Sequence, residues 1–196
     1  MKSILTYTSK EKCSNGPISM HALVVGGTGM LREVVYYLAS QGHIVSVIAR
    51  HQSSIEDLLN QESKHGENIH GWALDYHGNE ELESMLNHAI AQYGPITLTV
   101  AWIHSTAREA PFNIAKHAQG DFFHVRSASV GKANYQDPFN IPAIQDLAGL
   151  HYHRIILGSA VEGNLSRWLS NDEISKGVIS SLQNREDESI VGTIAL

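Results

Sequence analysis

Apolar positions along this chain follow two alternating patterns, short β-branched runs and longer stretches with helical spacing. The run at residues 21–25 predicts a buried strand that ends in glycines. Residues 30–41 then carry apolar side chains at helical spacing, and Gly42 supplies the stop. Residues 44–48 predict the next strand, so the chain opens as a strand–helix–strand unit.

The same alternation continues to the end of the chain. Further strands are predicted at residues 69–74, 96–103, 122–125, 154–157 and 189–195. Further helices are predicted at 53–65, 79–93, 111–118, 142–148 and 170–183. Three of these helices begin at capping-box patterns, which are Ser53-x-x-Glu56, Thr106-x-x-Glu109 and Ser170-x-x-Glu173.

Strands such as 23–25 and 155–157 are apolar on both faces, which is typical of a parallel sheet covered by helices on each side. Right-handed crossovers then give a doubly wound α/β fold with a mainly parallel sheet, the Rossmann arrangement. The length of 196 residues suits a single domain, which we place at residues 20–196.

The first 19 residues show no helical or alternating period and contain Gly16-Pro17. A segment with few apolar side chains cannot offset its ordering entropy by burial. We therefore expect residues 1–19 to be a disordered or loosely attached extension that the fold does not need, with Met20 as a natural start. The alternative is that the segment packs on the sheet or on a partner subunit.

Composition excludes several classes of partner. The formal net charge of -6 and the pI of about 6.0 argue against nucleic acid, which selects basic surfaces. No apolar run approaches the roughly 20 residues that span a bilayer. Cys13 is the one cysteine, so an internal disulfide cannot form and a cytoplasmic location is expected. The expected partner is a dinucleotide, whereas a small-molecule substrate and a homo-oligomer are left open.

A glycine-rich loop lies directly after the first strand and opens the first helix. It comprises Gly26, Gly27, Thr28, Gly29, Met30 and Leu31. Glycines let the backbone approach a pyrophosphate, and the amides at the helix start bind the anion. Arg32 stands where the third glycine of the dinucleotide fingerprint is expected. Its side chain either lies beside the pyrophosphate or faces solvent.

The end of the second predicted strand indicates which dinucleotide is bound. An NAD site would place Asp or Glu there, but this chain has Arg50, His51, Ser53 and Ser54. A guanidinium can hold a 2′-phosphate with two hydrogen bonds, and serine hydroxyls can complete the pocket. These residues favour NADP(H) over NAD(H), and the alternative is a solvated arginine in a turn.

From Val24 to Arg50 the chain resembles the short-chain dehydrogenase/reductase superfamily, especially its extended and atypical branches. The likeness is good over residues 21–105 and only topological beyond. It implies that Asp75, with Tyr76 beside it, lies near the adenine ring. It also implies that Ala101 and Trp102 lie where the family has an Asn-Asn-Ala-Gly stretch beside the cofactor.

The family's Tyr-x-x-x-Lys signature is absent. The residues four positions before Lys64, Lys116, Lys132 and Lys176 are Asn60, Phe112, Ala128 and Asp172. In that family the tyrosine donates the proton while the lysine lowers its pKa. The resemblance therefore implies either an oxidoreductase with a rebuilt active site or a non-catalytic NADP-binding redox sensor or scaffold.

Other side chains are candidates for the missing roles. Ser127 or Ser129 could stand where the family serine ends strand five. The candidate proton donors are His104, Tyr135 and Tyr152, each with a purely structural role as its alternative.

Two further motifs have a plain alternative to a ligand-binding role. His151-x-His153 is a candidate metal pair, but no third ligand lies nearby in sequence, so no metal site is expected. Arg167-Trp168 could close over a ligand, whereas the preferred interpretation has the tryptophan packing the following helix start as a hydrophobic staple.

Overall fold

The structure is a computed structural model that describes residues 20–61, 65–128, 136–163 and 165–194. The expectation for residues 1–19 lies outside these residues, as do the candidates Ser129 and Tyr135. No helix in the described ranges is long and apolar enough to cross a membrane.

The described residues form a seven-stranded sheet in which every paired neighbour runs parallel, with the order β3-β2-β1-β4-β5-β6-β9. Its strands are β1 (His21–Val25), β2 (Ile44–Ala49), β3 (Ile69–Ala73), β4 (Ile96–Trp102), β5 (Ala118–Ser127), β6 (Leu150–Leu157) and β9 (Glu188–Val191). A separate antiparallel hairpin joins β7 (Ser159–Glu162) to β8 (Leu165–Trp168). The strand order reverses between β1 and β4, so ligands are expected at the carboxyl ends of these two strands.

Helices cover both faces of the sheet. They are α1 (Arg32–Ser40), α2 (Gln52–Gln61), α3 (Asn79–Tyr93), α4 (Ala110–Ala115), α5 (Ile141–Gln145) and α6 (Asn171–Asn184). Buried side chains of α1, α2 and α6 share one core cluster with the sheet, and those of α3, α4 and α5 share the other. The doubly wound, parallel, single-domain α/β fold is therefore confirmed.

Several predicted boundaries were wrong, mainly in the second half. β5 and β6 are much longer than predicted, because polar residues flank the apolar run of each strand, Asp121 and Arg126 in β5 and His153 in β6. The β7–β8 hairpin was not predicted. Of the three capping boxes, that at Ser170 and Glu173 is formed. α2 begins one residue before Ser53, and α4 begins directly after Glu109 without a side-chain cap.

The hydrophobic staple at the start of α6 involves Leu169 rather than Trp168. Leu169 is buried and shares a core cluster with Ile174, which lies one turn into the helix. Trp168 is 52% exposed, so the staple prediction was wrong for this side chain. The residue nearest the cap is the one whose side chain turns inward to the core.

A cluster of hydrogen-bonded polar side chains lies in the protein interior beside β5 and β6. The His124 ring is fully buried, and its Nδ1 lies 3.0 Å from the Tyr152 hydroxyl. Arg126 donates to both carboxylate oxygens of Asp137, at 2.5 and 2.8 Å. Burial, with the nearby charge of Arg126, lowers the pKa of His124 to about 3. His124 is therefore neutral in the folded protein near neutral pH.

This burial makes the protein labile to acid. The unfolded chain takes up a proton on His124 near pH 6.5, but the folded chain does so only near pH 3, so stability falls as the pH drops through this window. Replacing His124 by Gln keeps a polar partner for Tyr152 and removes the titration. Between about pH 7.5 and about pH 5.5, wild-type protein should lose about 1.4 kcal/mol more unfolding free energy than His124→Gln.

Urea unfolding of both proteins at the two pH values measures this difference. The burial of His21, His43 and His70 also lowers the pKa of each, and these residues are common to both proteins. An equal loss of stability in the two proteins would contradict the buried, neutral His124.

Candidate dinucleotide-binding site

The glycine-rich loop lies between β1 and α1, at the point where the strand order reverses. The Gly26 amide donates to the Ile48 carbonyl at 3.0 Å, which ties the loop to β2, and Gly26 has a φ of 80°. The backbone amides of Thr28, Gly29 and Met30 have no acceptor among the residues that the structure describes. Amides in this state at a helix start are suited to bind an anion.

The glycines of this loop have different roles. A Cβ on Gly27 would lie 2.8 Å from Val35 on α1 and 2.9 Å from Val47 on β2, so Gly27 allows the helix to pack closely on the sheet. A Cβ on Gly29 would meet nothing within 4 Å. Gly29 is therefore not needed by the fold, and a side chain there would extend into open space beside the loop.

Arg32 stabilises the loop through side-chain hydrogen bonds. Its guanidinium donates to the Thr28 carbonyl, at 3.0 Å from the Nη2 atom, and to Gln61 Oε1 at 2.6 Å. These contacts differ from the expectation of a purely solvent-facing side chain, and the contact of Arg32 with a phosphate stays a prediction. The absence of a third glycine does not disturb the packing of α1, because Gly27 already provides the close approach.

A cavity of about 440 Å³ opens beside the loop, and we call it the glycine-loop cavity. Its lining comprises Gly26, Thr28, Gly29, Met30, Ile48, Ala49, Arg50, His51, Ser54, Tyr76, His77, Trp102, His104 and Thr106. The loop, the end of β2, the segment after β3 and the end of β4 thus meet at one edge of the sheet.

Some predicted site residues do not line this cavity. Gly27, Leu31 and Ala101 are buried beneath its surface. Ser53 is exposed in the first turn of α2, and Asp75 is turned toward His77.

Sequence analysis missed a chain of hydrogen-bonded side chains along one wall. Asp75 Oδ1 lies 2.6 Å from His77 Nδ1, and His77 Nε2 lies 2.9 Å from Thr106 Oγ1. The same Thr106 oxygen lies 3.1 Å from His104 Nδ1. Hydrogen bonds from His77 lower the pKa of Asp75 below its usual range. The contact joins segments 29 residues apart, so only the Asp-x-His and His-x-Thr spacings could have hinted at it.

A second cavity of about 240 Å³ adjoins the first, and we call it the tryptophan cavity. It is lined by Trp102, Ile103, His104, Ser105, Val125, Arg126, Ser127, Phe139 and Trp168. Trp102 and His104 line both cavities and therefore form their shared boundary. Ser127 ends β5 at this cavity, so the structure brings Ser127 and His104 together.

Tyr152 lies elsewhere. It is near the amino end of β6, paired with Phe122 in the register of β5, and lines neither of these two cavities. Burial raises the pKa of Tyr152 to about 12. Its position corrects the expectation that it could donate a proton at the cofactor edge.

The histidine pair on β6 is occupied by protein contacts. His153 Nε2 lies 2.9 Å from Asp121 Oδ1, and His153 Nδ1 lies 3.0 Å from the Glu186 carbonyl. His151 Nδ1 lies 3.9 Å from the same Asp121 oxygen. Within the described residues, His, Cys, Asp and Glu form no group of three or more that could hold a metal ion.

A sequence profile of the short chain dehydrogenase family matches residues 20–121, just over half of the chain. The matched region contains the glycine-rich loop, the end of β2 and the whole of β4. The chain therefore belongs to the short-chain dehydrogenase family. A sequence search of the curated proteins gives no match.

Solved structures share the fold at low sequence identity. A short-chain dehydrogenase from Streptomyces avermitilis is 12% identical with a TM-score of 0.65, covering 90% of this chain and 89% of that one. A variant of the actinorhodin polyketide ketoreductase with NADPH is 15% identical with a TM-score of 0.64, covering 90% and 96%. A metagenomic short-chain oxidoreductase in complex with NADP is 16% identical with a TM-score of 0.64, covering 90% and 96%.

The different surroundings of the two loop glycines give a matched pair of variants. Gly29→Val should keep the fold, because the added side chain enters open space. It should lose dinucleotide binding, because that space lies beside the loop amides where the pyrophosphate is expected. Gly27→Val should instead destabilise the fold by about 1–3 kcal/mol, since the added methyl groups collide with Val35 and Val47. Circular dichroism melts and calorimetric titration with NADP⁺ measure the two effects. If Gly29→Val binds NADP⁺ as tightly as the wild type, the dinucleotide does not lie on this loop.

Proposed function

We propose that this protein is an NADP(H)-dependent oxidoreductase that binds its cofactor in the glycine-loop cavity. The observation that carries the proposal is that loop amides without a backbone acceptor among the described residues lie in the same cavity as Arg50. A pyrophosphate on the amides would leave the adenosine end of the dinucleotide beside β2. The family of the chain and the NADP(H) in two of the similar structures support the same cofactor.

Arg50, His51 and Ser54 favour NADP(H) over NAD(H). They follow the end of β2 and line the cavity, and no carboxylate occurs among the described residues of its lining. A guanidinium and a hydroxyl there would bind a 2′-phosphate, whereas the ribose hydroxyls of NAD(H) need an acidic acceptor. The electrostatic preference is therefore for the phosphorylated dinucleotide.

The tryptophan cavity is the proposed substrate site. When bound, NADPH supplies a hydride to a carbonyl carbon, and the protein must supply a proton to the oxygen. His104 lies at the boundary of the two cavities, and Thr106 holds its Nδ1 atom, which leaves Nε2 for a substrate. We assign the proton-donating role to His104 and a substrate-binding hydrogen bond to Ser127.

The alternative is an NADP-binding sensor or scaffold without turnover. Two observations favour it. The chain lacks Tyr-x-x-x-Lys, and α5, the helix that follows β5, has only five residues. Trp102 also forms part of the wall between the two cavities. A nicotinamide fits at this boundary only if the indole leaves room for it. A sensor would bind NADPH and release it unchanged.

Cofactor preference gives the first test. NADP⁺ should bind at least about tenfold tighter than NAD⁺, because a charged hydrogen bond contributes about 1.5–3 kcal/mol. Arg50→Asp should reverse the order. Arg108→Asp is the control, since it makes the same charge change on an exposed residue outside the cavity lining. Equal calorimetric affinities for the two cofactors in the wild type would rule out the Arg50 assignment.

Turnover gives the second test. Because the usual tyrosine and lysine are absent, NADPH consumption with simple ketones should be slow. The rate that remains should fall by about 100-fold in His104→Asn, since general acid catalysis contributes about 10²–10⁴. NADPH affinity should stay within about twofold of the wild type. Stopped-flow absorbance of NADPH measures the rate, and an unchanged rate in His104→Asn would remove the histidine from the mechanism.

A wild-type protein that binds NADPH but consumes none with a broad carbonyl panel would favour the sensor.

A further inference from the structure

The wall of the tryptophan cavity is aromatic at three positions from separate parts of the chain. Trp102 ends β4, Phe139 precedes α5, and Trp168 ends β8. Phe139 is buried, whereas Trp168 is 52% exposed. A large indole at a cavity mouth offers apolar area and a π face to whatever enters.

Trp168 is held at this mouth by its neighbours. Arg167 pairs with Glu162 on β7 and with Glu173 on α6, both at 2.8 Å, and it donates to the Trp168 carbonyl at 3.1 Å. Ser159 pairs with Trp168 across the hairpin and exchanges two backbone hydrogen bonds of 2.9 Å with Thr193. The base of the hairpin is therefore held to the main body by Glu173 on the β8 side and by Thr193 on the β7 side, which positions the indole at the cavity.

The polar groups of the cavity restrict the charge of its ligand. Arg126 is the one charged residue in the described lining, and its guanidinium forms a bidentate ion pair with the Asp137 carboxylate. An anionic ligand would have to compete with Asp137. His104 and Ser127 remain as hydrogen-bonding groups at the cavity edge. The chemistry favours an uncharged ligand with one polar group.

Size restricts the ligand further. The volume of about 240 Å³ lies below the range of about 300–1,000 Å³ that is usual for sites of drug-sized ligands. One ring with a short substituent suits this space better than a fused ring system.

We propose that the tryptophan cavity takes an uncharged carbonyl compound with a single aromatic ring, the ring lying against Trp168 and Trp102. Its carbonyl oxygen would face Ser127 and His104. The reaction, but not the binding, rests on the proposed function. The carbonyl carbon gains a hydride from NADPH and the oxygen gains a proton from His104, which gives an alcohol and NADP⁺.

The test uses two unreactive amides of similar shape, benzamide and cyclohexanecarboxamide, titrated into the full chain. Benzamide should bind about threefold to tenfold tighter, because aromatic pairs add to the effect of buried area. Trp168→Ala should abolish this preference and Trp168→Phe should keep most of it. Leu165→Ala is the matched control, since Leu165 is an even more exposed apolar residue of the same hairpin and does not line the cavity.

Two titration series separate this inference from the proposed function, one without cofactor and one with NADP⁺. A benzamide preference that depends on Trp168, in a protein that does not bind NADP⁺, would support the aromatic site and overturn the proposed function. A protein that binds NADP⁺ but has equal affinities for the two amides would support the proposed function and overturn the aromatic site. An aromatic preference that survives in Trp168→Ala, or that Leu165→Ala abolishes as well, would overturn the assignment to Trp168.

Discussion

The close packing of α1 against β1 and β2 at Gly27 fixes the position of the whole candidate site. Val35, Val47 and Val24 all lie within 3.1 Å of where a Cβ on Gly27 would be. With the helix drawn this close to the sheet, the loop before it must turn sharply. Its amides are then left at the carboxyl edge of β1, where the strand order reverses. Any residue larger than glycine there would push the helix away and move these amides.

The second half of the site depends on polar residues inside the sheet. β5 carries His124 and Arg126 into the interior, and the ion pair with Asp137 offsets the desolvation of the guanidinium. The same strand ends in Ser127 at the tryptophan cavity. The strand that ends at the tryptophan cavity therefore uses buried hydrogen bonds where β1 and β4 use mainly apolar side chains.

The predictability of each part of the structure follows from this difference. α3 was predicted with the bounds that the structure has, because apolar spacing and the Gly94-Pro95 break both mark it. β5 and β6 were predicted too short, since Asp121, Arg126 and His153 flank the apolar runs and look like strand ends in sequence. The β7–β8 hairpin is exposed at most positions, so its side chains carry no burial pattern.

The candidate site divides in the same way. The glycine-rich loop and Arg50 could be predicted because local sequence order places them after β1 and β2. His77 and Thr106 could not, because they meet only through the arrangement of the strands that precede them. Trp168 was assigned to the core, and nothing in its local sequence shows that the hairpin carries it to a cavity.

A crystal structure of the protein with bound NADP⁺ tests the central claim most directly. The account predicts the pyrophosphate on the amides of Thr28, Gly29 and Met30, the 2′-phosphate at Arg50, and the nicotinamide at the boundary formed by Trp102 and His104. A dinucleotide bound away from the glycine-rich loop would contradict the account. A nicotinamide excluded from the tryptophan cavity by the Trp102 indole would contradict the proposed oxidoreductase activity and leave only the cofactor site.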